Sequence, residues 1–508
     1  MRKLSEIKIG TTLKTAAAAV PKKATVVDYG KGKRYTYGEL NNRVNSIANS
    51  LLDIGVKKGD FIATLMKNGI ELVELPYVAA KIGAILAPLP YRLGSSELKQ
   101  LLNYCKANVI ILEEQYLEEI ESIKKETGLE KCISTGLKTS EDIIAYDDLL
   151  NNSVKEPKIE TDEDAPFVLM FSSGTTGLPK GFLRTQYQLF IHSYNWLSIH
   201  DFTSSDVNLI VFPLYGGVAL TNVFATVFAR AKMIVMDFEP TKVLKAIDEE
   251  KVTFINCAPT MGQMLLEMPN LDNYKLDSLR AISFVGSALP ASVLEGMQKK
   301  ITPNVYEYYG TQDCGTITIN TPDMKRKKPD SCGAPIPVID LKIIDSAGNE
   351  VPIGNIGEVI VSGPSSSDSY YEEEEKTKAS FKDGWFYTGD LGKLDEDGYL
   401  YLVGRTKDMI VTGAQNVSSV EVENTLLSHE KVSDCAVIGL PDERWGEMVT
   451  AVIIAKSGVH VDEAEIIEYC RENLAHFKAP KKVIFTDSLP RTTTGKIQKN
   501  ILVEKYSS

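Results

Sequence analysis

The sequence predicts an α/β protein, with doubly wound parallel sheets in a large N-terminal domain, a small β-rich subdomain and a small α+β C-terminal domain. Three observations predict this class. Short apolar runs alternate with amphipathic helical segments in the first part of the chain, turn-forming residues then become dense, and the last part has a strand and helix pattern of its own. The length of 508 residues also exceeds what one hydrophobic core usually supports.

The alternation of strand and helix begins near the N-terminus. Ala24–Asp28 has the composition of a strand, and Tyr37–Asp53 has the apolar spacing of an amphipathic helix that begins near Thr36. Three further strands are predicted over residues 60–66, 85–89 and 107–112. Residues from about 140 to 163 are polar and lack periodicity, so we predict an irregular connection there.

Four apolar runs in the middle of the chain each end in glycine, proline or small polar residues. The runs are Phe167–Phe171, Leu209–Phe212, Thr253–Cys257 and Ala281–Val285. In a parallel sheet the residues after such runs lie at the carboxyl ends of the strands, where open α/β folds bind their ligands. The segments expected to line one crevice are 172–180, 213–217, 258–260, 286–288 and 308–313.

The segment that follows the first of these runs, Phe171-Ser-Ser-Gly-Thr-Thr-Gly-Leu-Pro-Lys-Gly181, has the composition of a phosphate-binding loop. Its glycines let backbone amides turn toward a ligand, its hydroxyls donate hydrogen bonds, and its lysine supplies positive charge. The spacing is not that of a Walker A loop, and a polar turn between strand and helix is the alternative. The candidate phosphate ligands are Ser172, Ser173, Gly174, Thr175, Thr176 and Lys180.

The composition changes twice toward the C-terminus. Short strands with turn signals such as Ser346-Ala-Gly348 predict a β-rich subdomain over about 332–403, which completes an N-terminal domain of residues 1–403. Residues 404–508 carry several strands and a helix over Glu463–Leu474, which predicts a separate α+β domain.

Composition and charge argue against several classes of protein. The net charge of -12, without a basic run among aromatic residues, argues against a nucleic-acid binder. The seven scattered cysteines without a C-x-x-C pair favour reduced thiols in a cytoplasmic protein. No secretory signal is predicted. The uncharged stretch Val207–Ala229 contains Pro213 and two glycines, so a strand, a loop and a buried helix are predicted there instead of a membrane span.

Four further motifs accompany the phosphate loop, in the order 308–315, 384–390, 398–410 and 490–499. Their sequences are Tyr-Tyr-Gly-Thr-Gln-Asp-Cys-Gly, Gly-Trp-Phe-Tyr-Thr-Gly-Asp, Gly-Tyr-Leu-Tyr-Leu-Val-Gly-Arg-Thr-Lys-Asp-Met-Ile and Pro-Arg-Thr-Thr-Thr-Gly-Lys-Ile-Gln-Lys. Together the five motifs closely resemble those of the adenylate-forming superfamily, which includes acyl-CoA synthetases, firefly-type luciferases and peptide adenylation domains. The resemblance covers residues 35–499 and implies ATP, Mg²⁺ and CoA as cofactors and a small carboxylic acid as substrate.

The resemblance implies a role for each matching residue. Lys496, on a mobile C-terminal domain, would contact the carboxylate and the α-phosphate together and reduce their repulsion. Tyr309 would stack on adenine, and Asp390 with Arg405 would bind the ribose hydroxyls. The other residues expected on the nucleotide side are Gly286, Ser287, Ala288, Gly310, Thr311 and Gln312.

Gln312 and Asp313 stand where the family usually has threonine and glutamate. Asp313 keeps a carboxylate that could hold Mg²⁺, although its side chain is one methylene shorter. Gln312 replaces a hydroxyl donor with an amide.

Gly216 follows Pro213-Leu-Tyr215, where many acyl-CoA synthetases have histidine and amino-acid-activating domains have aspartate. Without the aspartate, a buried α-ammonium would lack an anionic partner, so amino-acid activation is disfavoured. An acid pocket of Tyr215, Gly216 and Gly217 favours an apolar acyl or aryl group. The alternative is that the two glycines only form a tight turn.

The resemblance also implies two arrangements of the site. The C-terminal domain would rotate about Lys407, so that Gly413, Ala414 and Gln415 face the acyl-adenylate while the CoA thiol attacks. We therefore predict an ATP-dependent acyl-CoA ligase that forms acyl-AMP and pyrophosphate, and then thioester and AMP. Two alternatives are an acid:carrier-protein ligase acting in trans and a non-catalytic nucleotide-binding protein on the same scaffold.

Overall fold

The computed structural model describes residues 7–136, 143–172, 180–413, 415–456, 458–491 and 497–507, without the side chains of Ser172 and Asn416. The helices are α1 (Ile9–Ala19), α2 (Tyr37–Asp53), α3 (Ile70–Ile82), α4 (Ser95–Cys105), α5 (Leu117–Lys124), α6 (Gln186–Ile199), α7 (Gly217–Phe228), α8 (Pro240–Glu250), α9 (Pro259–Leu266), α10 (Ala291–Lys300), α11 (Pro322–Lys327), α12 (Glu374–Ser380), α13 (Ser419–Leu427), α14 (Glu463–Asn473) and α15 (Lys499–Tyr506). The first strands are β1 (Ala24–Asp28), β2 (Lys33–Thr36), β3 (Phe61–Leu65), β4 (Ile85–Pro88), β5 (Val109–Leu112), β6 (Lys131–Ser134), β7 (Ile143–Ala145), β8 (Pro166–Ser172), β9 (Lys180–Thr185), β10 (Val207–Ile210), β11 (Lys232–Val235), β12 (Phe254–Cys257) and β13 (Ala281–Phe284). The remaining strands are β14 (Val305–Thr311), β15 (Gly315–Asn320), β16 (Ala334–Pro335), β17 (Asp340–Ile344), β18 (Gly357–Ser362), β19 (Phe381–Lys382), β20 (Trp385–Leu394), β21 (Leu400–Arg405), β22 (Met409–Thr412), β23 (Gln415–Ser418), β24 (Val432–Asp442), β25 (Gly446–Ala455) and β26 (Lys482–Phe485).

Helix α2 shows how local sequence sets the boundaries of an element. Thr36 accepts a hydrogen bond from the Glu39 backbone N–H, and the Glu39 carboxylate accepts one from the Thr36 N–H, which forms a capping box. Leu40, Val44 and Ile47 are buried along one face of the helix. The prediction of a helix over 37–53 is confirmed.

The first large sheet has seven strands in the order β7-β6-β5-β3-β4-β8-β9. All neighbours are parallel except the hairpin of β8 and β9. The prediction of an irregular connection over 140–163 was wrong in part, because β7 and a 3-10 helix over Tyr146–Asn151 lie there. A strand as short as β7 carries too little periodicity to be recognised in the sequence.

The second large sheet has nine strands in the order β16-β15-β14-β13-β12-β10-β11-β1-β2. Its centre is parallel and both of its edges are antiparallel. The expectation that all four central apolar runs belong to one sheet was wrong, because β8 lies in the seven-stranded sheet. A hydrophobic run requires a partner strand, but it does not specify which one.

Helices α1, α2, α3 and α7 lie between the two large sheets. One hydrophobic cluster contains Ile62 of β3, Phe167 of β8, Phe224 of α7 and Met233 of β11, which come from both sheets and the helices between them. The predicted α/β class is confirmed, with mixed sheets rather than purely parallel ones.

Two smaller sheets follow. The third contains β17 to β21 and is antiparallel, and the fourth contains β22 to β26 with α13, α14 and α15 around it. A short 3-10 turn over Thr406–Asp408 joins the two sheets. None of the helices in the described ranges is long and apolar enough to cross a bilayer, and the stretch 207–229 forms β10, a loop and α7 as predicted.

Candidate functional site

Asp390 lies at the centre of a compact group of polar side chains on β14, β20 and β21. It is paired with Arg405 across the antiparallel ladder, and the Arg405 Nε lies 2.9 Å from its Oδ1. The Tyr309 hydroxyl donates to its Oδ2 at 2.6 Å. Asp390 is only 5% exposed, and each of its oxygens accepts a hydrogen bond from a strong donor.

This arrangement leaves a carboxylate in one fixed orientation. Burial raises the pKa of Tyr309, and the neighbouring Asp390 charge raises it further, so the phenol keeps its proton and donates. The Arg405 side chain is 36% exposed and opens the group toward solvent. Each oxygen of a carboxylate held in this way keeps lone-pair capacity, with which it can accept hydrogen bonds from a diol.

The loop 286–288 leaves the carboxyl end of β13 beside β14, which carries Tyr309. Gly286 has a φ of +104°, a conformation that glycine adopts without strain. Residues 286–288 are exposed, and the loop is anchored just behind them, where the Leu289 N–H donates to the Glu307 Oε1 at 3.1 Å. The other Glu307 oxygen accepts from the buried Lys325 ammonium, so a buried ion pair holds the base of this loop.

Gln312 and Asp313 form the turn between β14 and β15. The Gln312 Oε1 accepts a hydrogen bond from the Gly217 N–H at 3.2 Å, so the amide reaches the first turn of α7. Asp313 is buried, and its Oδ1 has no hydrogen-bond partner among the described residues. Burial raises the pKa of the Asp313 carboxyl, while a hydrogen bond from the Tyr370 hydroxyl lowers it.

The turn fits a magnesium ion that also binds a ligand's phosphates. The uncommitted Asp313 oxygen is the hard donor that Mg²⁺ prefers. The described part of the chain contains no cluster of three or more acidic, histidine or cysteine ligands. An ion held here would therefore take its other ligands from phosphate oxygens and water, as Mg²⁺ does in nucleotide sites.

The expected acid pocket lies where α7 begins. Tyr215 is buried against Tyr91, with ring centroids 5.8 Å apart. The Gly216 N–H donates to the Pro213 carbonyl at 2.9 Å, so a tight turn is present. A side chain at Gly217 would place its Cβ 3.0 Å from the Gln312 Oε1, so Gly217 leaves the space that Gln312 fills.

The family model for AMP-binding enzymes matches residues 13–371, and the model for the C-terminal domain of AMP-binding enzymes matches residues 421–496. The chain belongs to the family of AMP-binding enzymes. Since its curated relatives are acid–CoA ligases, it is an AMP-forming acid–thiol ligase.

Three similar proteins illustrate this membership. The long-chain-fatty-acid–CoA ligase FadD13 of Mycobacterium tuberculosis is 32% identical over 501 residues, covering 98% of this chain and 99% of the relative. The feruloyl-CoA synthase of an Amycolatopsis species is 34% identical over 485 residues, covering 95% and 96%. The crystal structure of ATP-bound MatB from Rhodopseudomonas palustris has a TM-score of 0.90 and 30% identity, covering 98% of this chain and 99% of that one.

The structure describes only some of the residues predicted to bind the phosphates and to face the thiol. Ser173, Gly174, Thr175, Thr176, Ala414, Lys496 and the side chain of Ser172 lie outside the described residues. The Lys180 Nζ lies 4.6 Å from the centre of the Tyr370 ring, on the side of the site that contains Asp313. Tyr370 therefore contacts both Lys180 and Asp313, the candidate metal ligand.

The candidate hinge and thiol-side residues lie on consecutive short elements. Lys407 is in the exposed 3-10 turn between β21 and β22. Gly413 has a φ of +57° at the end of β22, and its N–H donates to the Trp445 carbonyl at 2.8 Å. Gln415 begins β23, opposite Thr412.

Two functional candidates behind the turn were missed in the sequence. Arg184 of β9 is 1% exposed and donates to the carbonyl oxygens of Gln312 and Asp313. His192 of α6 accepts from the Thr316 N–H at 3.1 Å, so its Nδ1 carries the proton and donates to the Thr221 hydroxyl. Burial lowers the pKa of His192 to about 3 and keeps the ring neutral. An arginine at an inward position of a strand was a signal for the first of these; the role of His192 depends on tertiary contacts.

Proposed function

We propose that the protein activates a carboxylic acid with ATP, releases pyrophosphate, and transfers the acyl group from acyl-AMP to CoA, which yields a thioester and AMP. The observation that carries this proposal is the preformed group of Asp390, Arg405 and Tyr309. The remaining acceptor capacity of Asp390 suits a ribose diol, and the chain belongs to a family of AMP-binding enzymes.

The first step joins two anions, and the proposed site supplies positive charge where they meet. Residues 1–403 would hold the nucleotide and the acid, with Lys180 near the phosphates and Asp390 at the ribose. Residues 404–508 would bring Lys496 to the acid carboxylate and the α-phosphate. Charge neutralisation and alignment of this kind lower the barrier for attack on phosphorus.

Mg²⁺ bound beside the phosphates would neutralise charge on the leaving pyrophosphate. Asp313 would hold it through the oxygen that has no partner among the described residues. Gln312 fixes one end of the turn, because its side-chain oxygen accepts a hydrogen bond from the Gly217 N–H.

The second step would require the C-terminal domain to turn about Lys407. The segment that contains Lys407 is a single 3-10 turn that joins two sheets, and a short connection of this kind suits a hinge. The Gly413–Gln415 turn would then face the acyl-adenylate while the thiol attacks.

The acid is proposed to be an apolar acyl or aryl carboxylic acid. Tyr215 and Tyr91 offer aromatic surface, and the neutral His192 adds no charge behind α7. Relatives named for long-chain fatty acids and for feruloyl groups support the same class.

Acid-dependent exchange between ATP and pyrophosphate, measured over a panel of acids, tests the proposal. A positive signal with alkyl or aryl acids is expected, whereas no exchange with any acid would favour a non-catalytic nucleotide-binding protein. Pyrophosphate release with CoA and with a carrier-protein thiol as acceptors separates the acyl-CoA ligase from a carrier-protein ligase.

Lys496→Ala tests the division between the two steps. Acyl-adenylate formation should fall by roughly three orders of magnitude, since a charge that acts in the transition state is lost. Thioester formation from supplied acyl-adenylate should continue near the wild-type rate. Equal loss of both steps would contradict the proposed rotation.

A further inference from the structure

The turn that carries Gln312 and Asp313 is held through three consecutive backbone carbonyls. The Arg184 Nη1 donates to the Asp313 oxygen at 2.9 Å and to the Gln312 oxygen at 3.4 Å. The Ser367 N–H also donates to the Asp313 oxygen, at 2.8 Å, and the Ser365 hydroxyl donates to the Cys314 oxygen at 3.0 Å. The backbone of the turn is therefore held in place by Arg184 and by the segment 365–367.

Arg184 is an unusual residue for a purely structural contact. It is 1% exposed, and its Nε and Nη2 have no hydrogen-bond partner in the described part of the chain. No carboxylate among the described residues forms an ion pair with it within 4.0 Å. Burying a guanidinium without an ion pair is costly, and an apolar side chain would normally serve better at an inward strand position.

Strand β9 connects the two sides of the phosphate site. It begins with Lys180, whose ammonium lies over the Tyr370 ring, and contains Arg184 four residues later. The Tyr371 N–H donates to the Gly181 carbonyl at 2.7 Å, so the segment 365–371 contacts both β9 and the turn. A shift of the turn would therefore also displace the segment 365–371, and through that segment it would displace Lys180.

We propose that Arg184 is a positioning residue that fixes the Gln312–Asp313 turn, so that the Asp313 carboxylate is presented to the magnesium complex of ATP. This inference rests on the proposed function. The alternative occupant for the two uncommitted donors, a second carboxylate of the acid substrate, is disfavoured because Asp313 lies on the same turn and would repel an anion.

The test compares Arg184→Met and Arg184→Lys with wild type, and Arg280→Met serves as a control for lost stability away from the site. Arg280 also donates to backbone carbonyls, those of His200 and Asp201, but it is paired with the buried Asp206 and lies just before β13, at the end of the sheet away from the site. Calorimetry measures the binding of AMP without metal and of ATP over a series of Mg²⁺ concentrations. Pyrophosphate exchange over the same Mg²⁺ series gives a second readout, and thermal unfolding reports stability.

Arg184→Met should raise the Mg²⁺ concentration for half-maximal ATP binding by roughly tenfold or more, the usual effect of losing a residue that orients a metal ligand. AMP binding should stay within about twofold of wild type, since Asp390 and Arg405 are untouched. Arg184→Lys should give an intermediate shift, because an ammonium can still donate to the Asp313 oxygen. If the methionine variant does not fold, the lysine variant carries the test.

The inference is overturned if both variants lower the melting temperature, as Arg280→Met should, with an unchanged Mg²⁺ response. It is equally overturned if AMP and magnesium-ATP binding weaken together, or if the loss appears only with dicarboxylic acids. A wild-type protein without Mg²⁺-dependent ATP binding and without exchange for any acid would instead contradict the proposed function.

Discussion

Two buried carboxylates in this protein, Asp390 and Asp313, are held in opposite ways. Asp390 has a charged donor on one oxygen and a phenol on the other, at 2.9 and 2.6 Å. Asp313 has one oxygen without a partner among the described residues, and burial raises its pKa. Both oxygens of Asp390 therefore have donors in the protein itself, whereas one oxygen of Asp313 would gain a partner only from a ligand or a metal ion.

This difference predicts that the two sides of the proposed nucleotide site do different work. Asp390, with a donor on each oxygen, should contribute equally to the binding of ATP and AMP, because both contain the ribose. A carboxylate with an unpaired oxygen gains most when a cation approaches, so the contribution of Asp313 should depend on the phosphates and the metal. Variants of the two residues should therefore separate binding from metal dependence.

Asp390→Asn should have the largest effect on binding. The amide keeps the shape but loses the charge that Arg405 and the ribose hydroxyls share, which costs about 3 kcal/mol, or roughly a hundredfold in affinity for AMP and ATP alike. Asp313→Asn is the matched comparison, and it should leave AMP affinity within about twofold while weakening magnesium-ATP. Calorimetry with both nucleotides measures this; similar losses for AMP in the two variants would remove the distinction.

His192 offers a test of the same comparison through pH, because it lies behind the Asp313 turn and not behind Asp390. Its pKa is about 3 in the folded chain and about 6.5 when unfolded. Only the unfolded state takes up the proton between these values, so its contribution to stability is complete above pH 6.5 and is lost as the pH falls. The free energy of unfolding should drop by about 2 kcal/mol from pH 7 to pH 5 through this residue.

His192→Gln should remove that part of the pH dependence, measured by urea unfolding at both pH values. The neighbouring His200, which is also buried with a pKa of about 3, stays in place and provides the internal reference. An unchanged slope in the variant would mean that His192 binds protons equally in the folded and the unfolded protein.

Local signals in the sequence predicted much of the fold. The apolar spacing after Thr36 located α2, and the apolar runs located β10, β12 and β13. What failed was non-local, because the choice of β4 as the partner of β8 depends on packing across the common core. Residue pattern alone gives a strand's length and faces, not its neighbour.

The candidate site shows the same division between local signals in the sequence and contacts that depend on the fold. Motif order singled out Tyr309, Asp390 and Arg405, and the structure places them in contact. Arg184 lies only four residues beyond Lys180, yet its contact with the turn joins positions that are 129 residues apart. No spacing rule connects residues of two different sheets, so a role of this kind emerges only from the folded chain.

The smallest expected effect is that of Gly217→Ala, which tests the contact between the Gln312–Asp313 turn and the first turn of α7. Gly217→Ala would place a Cβ 3.0 Å from the Gln312 Oε1 and 3.4 Å from the Met170 Cε, so the amide must move away from the Gly217 N–H. We expect a loss of about 1 kcal/mol in the free energy of unfolding. Gly94→Ala, at the start of α4, has its nearest contact at 4.0 Å and should cost about 0.5 kcal/mol or less.

A second substitution shows whether the clash with Gln312 is the cause. Gln312→Ser shortens the side chain, so adding Gly217→Ala to that background should cost much less than it does in wild type, and urea unfolding of the four proteins gives the coupling. Additive losses would mean that the alanine acts through Met170 instead. Coupling would show that Gly217 and Gln312 pack as one unit, which joins the turn of Asp313, but not the Asp390 group, to helix α7.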